Sequence, residues 1–351
     1  MNKLTKVGLS ALCGSLASIA AANAGDLTVS GGVDMSWISL DDASTGNPIG
    51  IGTNLTFKGA GELDNGWAFD IAIAHKNDDS FSAGVVTIDT GSFGKLEINQ
   101  GDTSNGVAAM DDKMPTAWEE SWGNGLGTGI DLVTGGAASM NIEYTTPTIL
   151  GTTINLMWAP EFGASDTADK TTGTNASGAD TVGDSYDATI NINPSLGTEI
   201  LSGLDLFVGA HYHEIYSTDT QINDENDWYE GVAGITYSLG PVSIGFARSG
   251  ELHGNTTTAS DVDYYRNNMY GVAFNINDNL SISYGRHESE INFVNPNDNE
   301  ARSMEVESYQ IAYSMGGASF RIAESEVDNA SYQTGTGYDK EATVISMSLA
   351  F

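Results

Sequence analysis

Apolar and polar residues alternate with a period of two along most of this chain, and the alternation continues to its last residue. In the closing stretch EATVISMSLAF, steps of two from Thr343 reach Ile345, Met347, Leu349 and Phe351, and the positions between them are mostly small or polar. A period of two places alternate side chains on opposite faces of a β-strand. Since soluble domains commonly end in a frayed polar tail, a strand at the terminus indicates that the final residues have a structural role.

The same alternation recurs upstream, and with the terminal stretch it predicts sixteen strands. The other candidate strands are 26–37, 51–59, 67–76, 83–89, 95–99, 139–144, 153–158, 185–193, 204–212, 228–239, 242–247, 269–276, 280–285, 308–315 and 318–324. An even number of strands returns both termini to the same side of a closed barrel.

The connections between these strands fall into two classes. Short ones, rich in the Gly, Asn and Asp that tight hairpins require, occur at 63–66, 90–94, 239–241, 277–279 and 316–317. Long, acidic ones occur at 161–184, 292–305 and 325–341. Short turns at one rim and long loops at the other are typical of a transmembrane antiparallel β-barrel.

A soluble β-sandwich also alternates, but its apolar face is a packed core with clusters of large aliphatic residues. Here the apolar faces contain many Gly and Ala, which lipid tails tolerate, and the polar faces suit a water-filled interior. Aromatic residues lie near the strand ends, as in interfacial girdles. These are Trp37, Trp67, Trp158, Tyr229, Tyr237, Tyr284 and Phe351. We therefore predict an all-β fold, a transmembrane antiparallel barrel.

The N-terminus has the features of a cleaved signal peptide. Lys3 and Lys6 precede an apolar stretch, which ends at the A-x-A site formed by residues 22–24. We predict a signal peptide at 1–24 and one barrel domain at 25–351. The single cysteine, Cys13, lies in the signal, so the mature chain has no disulfide.

The net charge of −34 becomes −36 when Lys3 and Lys6 are removed. A surface this acidic repels nucleic acid and attracts cations. No motif resembles a nucleotide site, so we expect no cofactor and no nucleic-acid partner. No segment after residue 24 has the length and apolarity of a transmembrane helix.

Three motifs resemble the general diffusion porins of Gram-negative outer membranes. The stretch VVTIDTGSFGKLEINQGD (85–102) is similar to their strand, G-[SA]-F-G turn and second strand, and NIEYTTP followed by TILG (141–151) is similar to their strand and Pro turn. The terminal Phe351, with Leu349 and Met347, resembles the signal read by the outer-membrane assembly machinery.

The resemblance implies a homotrimer of sixteen-stranded barrels in the outer membrane, in contact with its lipids and lipopolysaccharide, that passes small ions and solutes passively. It also implies that the third loop, here 103–138, folds into the barrel and narrows it. The acidic residues of that loop are Asp111, Asp112, Glu119 and Glu120, with Trp118 and Trp122 as candidate packing anchors.

The chain departs from the family by lacking a basic cluster opposite this loop. Alternation places Asp34, Asp70, Glu97 and Glu143 on the inner face, and Arg321 is the best mid-barrel basic candidate there. A narrow wet tube lined by carboxylates concentrates cations and excludes anions, an effect that salt screens. We therefore expect a cation-preferring channel, whereas the permeating solutes, the pore diameter and any gating are not readable from the sequence.

Two other functions remain open. His211 and His213 share a strand face and are a candidate for binding metal, although no further Cys or His lies nearby, so we expect no metal site. An outer-membrane hydrolase is a less favoured alternative, because no G-x-S-x-G motif occurs. A surface adhesin or structural barrel is the other alternative, with acidic loops that bridge lipopolysaccharide phosphates through divalent cations, but no loop carries the full calcium-binding pattern.

Overall fold

The computed structural model describes residues 26–41, 46–101, 104–163, 182–194, 201–215, 227–254, 261–295, 300–335 and 337–351. The predicted signal peptide, residues 1–24, lies outside the described residues, as does most of the long connection 161–184. The strands are β1 (Asp26–Asp41), β2 (Ile49–Glu62), β3 (Ala68–Lys76), β4 (Asp79–Asp89), β5 (Lys95–Gln100), β6 (Asn141–Thr145), β7 (Thr152–Ala159), β8 (Val182–Ile192), β9 (Leu204–Ile215), β10 (Trp228–Leu239), β11 (Val242–Leu252), β12 (Val262–Asn277), β13 (Leu280–Phe293), β14 (Arg302–Met315), β15 (Ala318–Asp328) and β16 (Lys340–Ala350).

These sixteen strands form one closed barrel in which every strand pairs antiparallel with its sequence neighbours. The barrel closes where β1 pairs with β16, with Val33 opposite Leu349. The backbone N–H of Phe351 donates to the carbonyl of Gly31 at 3.0 Å. The prediction of a sixteen-stranded antiparallel barrel is confirmed, and the terminal apolar stripe is one side of its seam.

Several strands are longer than the alternation predicted, with the largest extensions of β12, β13 and β14 toward the long connections. Strand β13 extends to Phe293 rather than ending near residue 285, and β14 begins at Arg302. The predicted long connections 292–305 and 325–341 are therefore wrong in their bounds. The extensions place carboxylates such as Glu288 and Glu305 in the phase that is apolar elsewhere, so the apolar half of the pattern disappears while strand pairing continues.

The two faces of the barrel differ in exposure. The apolar face is exposed on every side, with large residues such as Ile51, Ile142, Val272 and Ile322 open to the surroundings. The polar face is buried along β6–β16. Lipid-facing barrels expose apolar side chains in this way, because their core is not on that face.

Among the described residues, no helix is long and apolar enough to cross a membrane.

Residues 104–138, here called the β5–β6 segment, cover the polar face. The segment contains two short 3₁₀ helices, Gly106–Lys113 and Ser121–Gly123. Its apolar side chains form a buried cluster with four strands, and this cluster comprises Val107, Met110, Met114, Leu132, Val133, Phe207, Val232, Ala247 and Met269. A second cluster joins Leu126 of the segment to β13–β16. The apolar core of the molecule therefore lies between the segment and the polar face.

Candidate functional site

The first part of the site is where the β5–β6 segment meets β8. The Asp187 carboxylate accepts a hydrogen bond from the Val107 backbone N–H at 2.8 Å and one from the Gly136 N–H at 3.2 Å. Val107 and Gly136 lie near the two ends of the segment, and the Asp187 side chain is only 1% exposed. One buried carboxylate thus holds both ends of the segment against the same strand.

Two further carboxylates bind the same ends. Glu230 on β10 accepts from the backbone N–H groups of Thr134 and Gly135, both at 2.8 Å. Glu143 on β6 accepts from the Gly106 N–H at 3.1 Å. Charge-assisted bonds of this kind are roughly twice as strong as neutral ones. We call this set of contacts the base of the segment.

The base also contains the two histidines considered as metal ligands. His211 Nδ1 lies 2.6 Å from the Asp187 carboxylate, and its Nε2 lies 2.9 Å from His213 Nδ1. Both rings are buried, and Phe162 stacks on His213 with ring centroids 3.9 Å apart. Within the described residues, no group of three or more His, Cys, Asp or Glu side chains has the arrangement of a metal site. Both nitrogens of His211 and Nδ1 of His213 thus belong to one hydrogen-bonded chain that starts at Asp187.

The middle of the segment, residues 116–124 and here called the tip, is bound by neutral groups on β14. The Gln310 side-chain oxygen accepts from the backbone N–H groups of Trp118 and Glu119 at 3.1 and 3.0 Å, and from the Thr116 hydroxyl at 2.9 Å. Its amide nitrogen donates to the Glu119 carbonyl at 2.6 Å. A single glutamine thus satisfies four polar groups of the tip.

The other side chains of β13 and β14 that bind the tip are also uncharged. The Ser121 hydroxyl lies 2.7 Å from His287 Nδ1, and the Asn124 amide donates to the Ser308 hydroxyl at 3.0 Å. Each of these side chains is buried. The base and the tip therefore use different chemistry to hold one segment.

The four predicted acidic residues of the segment lie close together near the tip. Asp112 and Glu119 are exposed, whereas Asp111 and Glu120 are half-buried. Burial, with the nearby Asp112 charge, raises the pKa of Asp111 to about 8. Burial, followed by the charges of Asp112 and Glu119, raises the pKa of Glu120 to about 8. Partial burial also raises the pKa values of Asp112 and Glu119, so all four carboxyls ionise at higher pH than usual, Asp111 and Glu120 near pH 8.

Of the predicted wall residues, Asp34 and Arg321 lie together. Arg321 Nη2 is 3.1 Å from the Asp34 carboxylate, and the Ser346 hydroxyl donates to the same carboxylate at 2.6 Å. The guanidinium also lies over the Trp118 ring, 5.3 Å from its centre. The Arg321 side chain is 3% exposed, whereas that of Asp34 is 36% exposed. Arg321 is thus covered by the segment, and Asp34 keeps contact with solvent.

The other predicted wall acids fall into two environments. Asp70 on β3 forms an ion pair with Lys58 on β2 at 2.9 Å, and both side chains are partly exposed. Glu97 and Glu143 are opposite each other in the β5–β6 pairing. Glu97 is half-buried and Glu143 is buried in the base. The structure therefore places Glu143 with the segment contacts, apart from Asp70.

Burial divides the polar face into two walls. The covered wall is the polar face of β6–β16, where every strand has fully buried residues. The open wall is the polar face of β1–β3, where no described side chain is fully buried. The segment packs mainly on the covered wall, since its hydrogen bonds and apolar contacts reach β6 and β8–β16. Near Gly125 it also lies against Ile38 of β1.

Sequence reasoning missed three of the residues that bind the segment: Asp187, Glu230 and Gln310. Each lies in the polar phase of a predicted strand, so the available signal was a polar side chain on the inner face. That signal is the same for a side chain that faces water and for one that binds a segment folded over it. Only the path of the β5–β6 segment distinguishes the two.

A family model for Gram-negative porins matches residues 8–249. No curated protein sequence matches the chain significantly.

Solved structures of porins resemble this barrel. An anion-selective porin from Comamonas acidovorans aligns with a TM-score of 0.62 at 13% identity, over 93% of this chain and 100% of that one. OmpF of Salmonella typhi, solved with daunomycin, aligns with a TM-score of 0.63 at 11% identity, over 93% and 98% of the chains. The trimer form of OmpT, an outer membrane protein of Vibrio cholerae, aligns with a TM-score of 0.57 at 11% identity, over 94% and 100%.

Proposed function

The chain belongs to the Gram-negative porin family, and from that premise we propose that it is a cation-preferring channel narrowed by its β5–β6 segment. Family and fold make it a diffusion channel of the outer membrane rather than an enzyme. The preference for cations and the position of the narrowing are our proposal.

The narrowing rests on the reach of the segment's contacts. The segment binds Asp187 on β8 and Gln310 on β14, which are separated by five strands around the ring. Both side chains are on the polar face, and alternate side chains of a closed barrel point inward. A segment that binds both from the polar side crosses the interior, so we infer that it occupies the channel. The passage then runs between the segment and the open wall.

The charge around that passage supports cation preference. On the open wall, Asp34 and Asp70 are partly exposed, and across from them the segment presents exposed Asp112 and Glu119. The described part of β1–β3 carries only two basic residues, one of which, Lys58, is paired with Asp70. A water-filled passage lined by excess carboxylates and bounded by low-dielectric walls attracts cations and repels anions. The Comamonas acidovorans porin is anion-selective, so the fold alone does not imply a preference for cations, and that preference is proposed from the charges of these residues.

The reversal potential of the purified, refolded protein in a planar bilayer under a potassium chloride gradient tests the proposal. We expect stepwise conductance and a cation-selective reversal potential that weakens as salt increases, because salt screens the carboxylates. The double variant D112N/E119Q removes two exposed charges and serves to locate the effect. An anion-selective or unselective wild-type channel would overturn the cation preference, and the absence of conductance would overturn the channel itself.

Assembly and export complete the proposal. The trimer form of Vibrio cholerae OmpT supports a homotrimer here, embedded among outer-membrane lipids and lipopolysaccharide. We propose that residues 1–24 are removed on export and that Phe351, Leu349 and Met347 are read by the assembly machinery. Cross-linking of the refolded protein would give a trimer band, and mass spectrometry of the mature N-terminus would begin at Gly25.

A further inference from the structure

We infer that Asp187 is the positioning residue of the constriction: its buried carboxylate closes the two ends of the β5–β6 segment against β8 and thereby sets the width of the passage. The inference rests on the proposed function, since it assigns the residue that fixes the proposed narrowing. It concerns the size of the channel, whereas the acids at the tip concern its charge.

The first support is the pattern of donors around the carboxylate. Val107 and Gly136 donate their backbone N–H groups from the two ends of the segment, and His211 approaches from the neighbouring strand. Backbone N–H groups buried without a partner are costly. Removal of the carboxylate therefore leaves donors at both ends of the segment unpaired at once, which no other single side chain in this region would do.

The second support is the close approach of backbone to the carboxylate. Gly106 and Gly135 both have positive φ, at 55° and 54°. A Cβ built on either would overlap the Asp187 Oδ2 atom. Glycine is thus required at both positions, for conformation and for space. The segment's two ends are built to lie directly on this side chain.

The third support is that Asp187 does not face the passage. Its side chain is 1% exposed and the His211 side chain is fully buried. Its charge is compensated by three donors, so a permeating ion interacts with it weakly. A change at Asp187 should therefore act through the position of the segment, in contrast to a change at the exposed Asp112.

The test compares Asp187→Asn with Asp184→Asn. Asp184 is three residues away on the same strand, and its carboxylate accepts from Trp158 and Tyr186 on the apolar face, so it is a matched control. Asn is isosteric with Asp but turns an amide donor toward the N–H groups of the segment. We expect D187N to raise single-channel conductance roughly 1.5- to 2-fold, because conductance follows the open cross-section. It should also speed liposome swelling by neutral sugars near the size limit, while D184N matches wild type.

A second variant acts from the segment rather than from the barrel. Gly135→Ala leaves the carboxylate in place and wedges the segment away from it, without altering any strand. We expect the same rise in conductance and sugar uptake. Heat-modifiable mobility on gels identifies the folded fraction, and G135A decides the outcome if D187N folds poorly.

The measurements separate the outcomes. D112N should shift the reversal potential without changing sugar uptake. D187N should increase sugar uptake without shifting the reversal potential. Conductance and sugar uptake of folded D187N and G135A equal to those of D184N would overturn the positioning role. A wild-type protein that forms no channel would instead overturn the proposed function, so the two failures are distinguishable.

Discussion

The covered wall and the open wall are built from the same kinds of residue and use them differently. On the covered wall, Asp187 and Glu230 are buried and accept backbone N–H groups of the segment. On the open wall, Asp34 and Asp70 are partly exposed and pair with Arg321 and Lys58. A carboxylate therefore holds the segment in place where the segment buries it, and contributes to the electrostatic potential of the channel where water reaches it.

In the proposed channel, this difference makes the passage one-sided although polar side chains lie all around the inner face of the barrel. The β5–β6 segment provides apolar residues such as Met110 and Val133 that pack on the covered wall. On the open wall, Ile38 and Leu40 at one end of β1 pack against the second apolar cluster, whereas no described residue of β2 or β3 belongs to either cluster. Changes on the covered wall are therefore expected to alter channel size and stability, and changes on the open wall to alter selectivity.

The largest change in conductance should come from removing most of the β5–β6 segment. Residues 109–133 can be replaced by two glycines, since Val107 and Gly135 are already in contact at the base. We expect conductance to rise roughly two- to threefold and the exclusion of larger neutral sugars to be lost, because the passage widens to the full barrel. Single-channel recording and liposome swelling measure both.

The strands pair only with one another, so the shortened protein should keep its heat-modifiable mobility. If its conductance stayed at the wild-type value, the segment would not be the narrowest part of the channel, and the two-wall description would fail.

A smaller effect is expected when the hydrogen bonds that hold the tip of the β5–β6 segment are removed. Gln310→Met keeps the volume of the side chain but removes the partner of Trp118, Glu119 and Thr116. Leaving one buried donor unpaired costs about 2 kcal/mol. Because Trp118 and Thr116 keep second partners within the segment, the free energy of unfolding should fall by about that amount and open-channel current noise should rise. Denaturant titration and noise analysis measure the two effects.

The exposed Gln333 provides the matched control, since Gln333→Met removes only a long bond to Ser331 at 3.5 Å. Equal stability and equal noise for Q310M and Q333M would show that the apolar contacts alone hold the tip.

The two walls also mark what the sequence could predict. Alternation predicted all sixteen strands, because one face of each meets apolar surroundings over several residues. It failed at the outer ends of β13 and β14, where Glu288 and Glu305 occupy that face. It also placed Arg321 on the inner face without revealing that Trp118 and Asp34 enclose it.

The division into two walls was not predictable from the sequence. Asp187 in β8 and Asp70 in β3 both lie at polar positions of an alternating strand, and nothing local distinguishes them. Which of them is buried depends on where a distant segment packs. That position is fixed by contacts between residues far apart in the chain, such as Trp118 and Gln310, and no local pattern encodes them.

The pH dependence of selectivity tests the two half-buried carboxyls of the segment, Asp111 and Glu120. The pKa values of Asp111 and Glu120 are raised to about 8, so both carboxyls are mostly protonated below that pH and ionised above it. We expect cation selectivity to increase as pH rises from about 6 to about 9.5, since each ionisation adds a negative charge to the passage. Reversal potentials across this range measure the effect.

The double variant D111N/E120Q is the control for that measurement, because it lacks the two carboxyls whose pKa values are raised to about 8. A pH profile as steep in the variant as in the wild type would place the responsible groups elsewhere.

The smallest effect is expected on the open wall, from Lys58→Met. The ion pair of Lys58 with Asp70 is 2.9 Å long, but the Lys58 side chain is 52% exposed. Exposed pairs of this kind contribute roughly 0–1 kcal/mol, so the free energy of unfolding should change by less than about 1 kcal/mol. Removing the lysine frees the Asp70 charge, and the reversal potential should shift slightly toward cations, whereas Asp70→Asn should shift it the other way. Shifts of the same sign for K58M and D70N would mean that these side chains act on the passage through structure, as the covered wall does, and the distinction between the walls would not extend to β2 and β3.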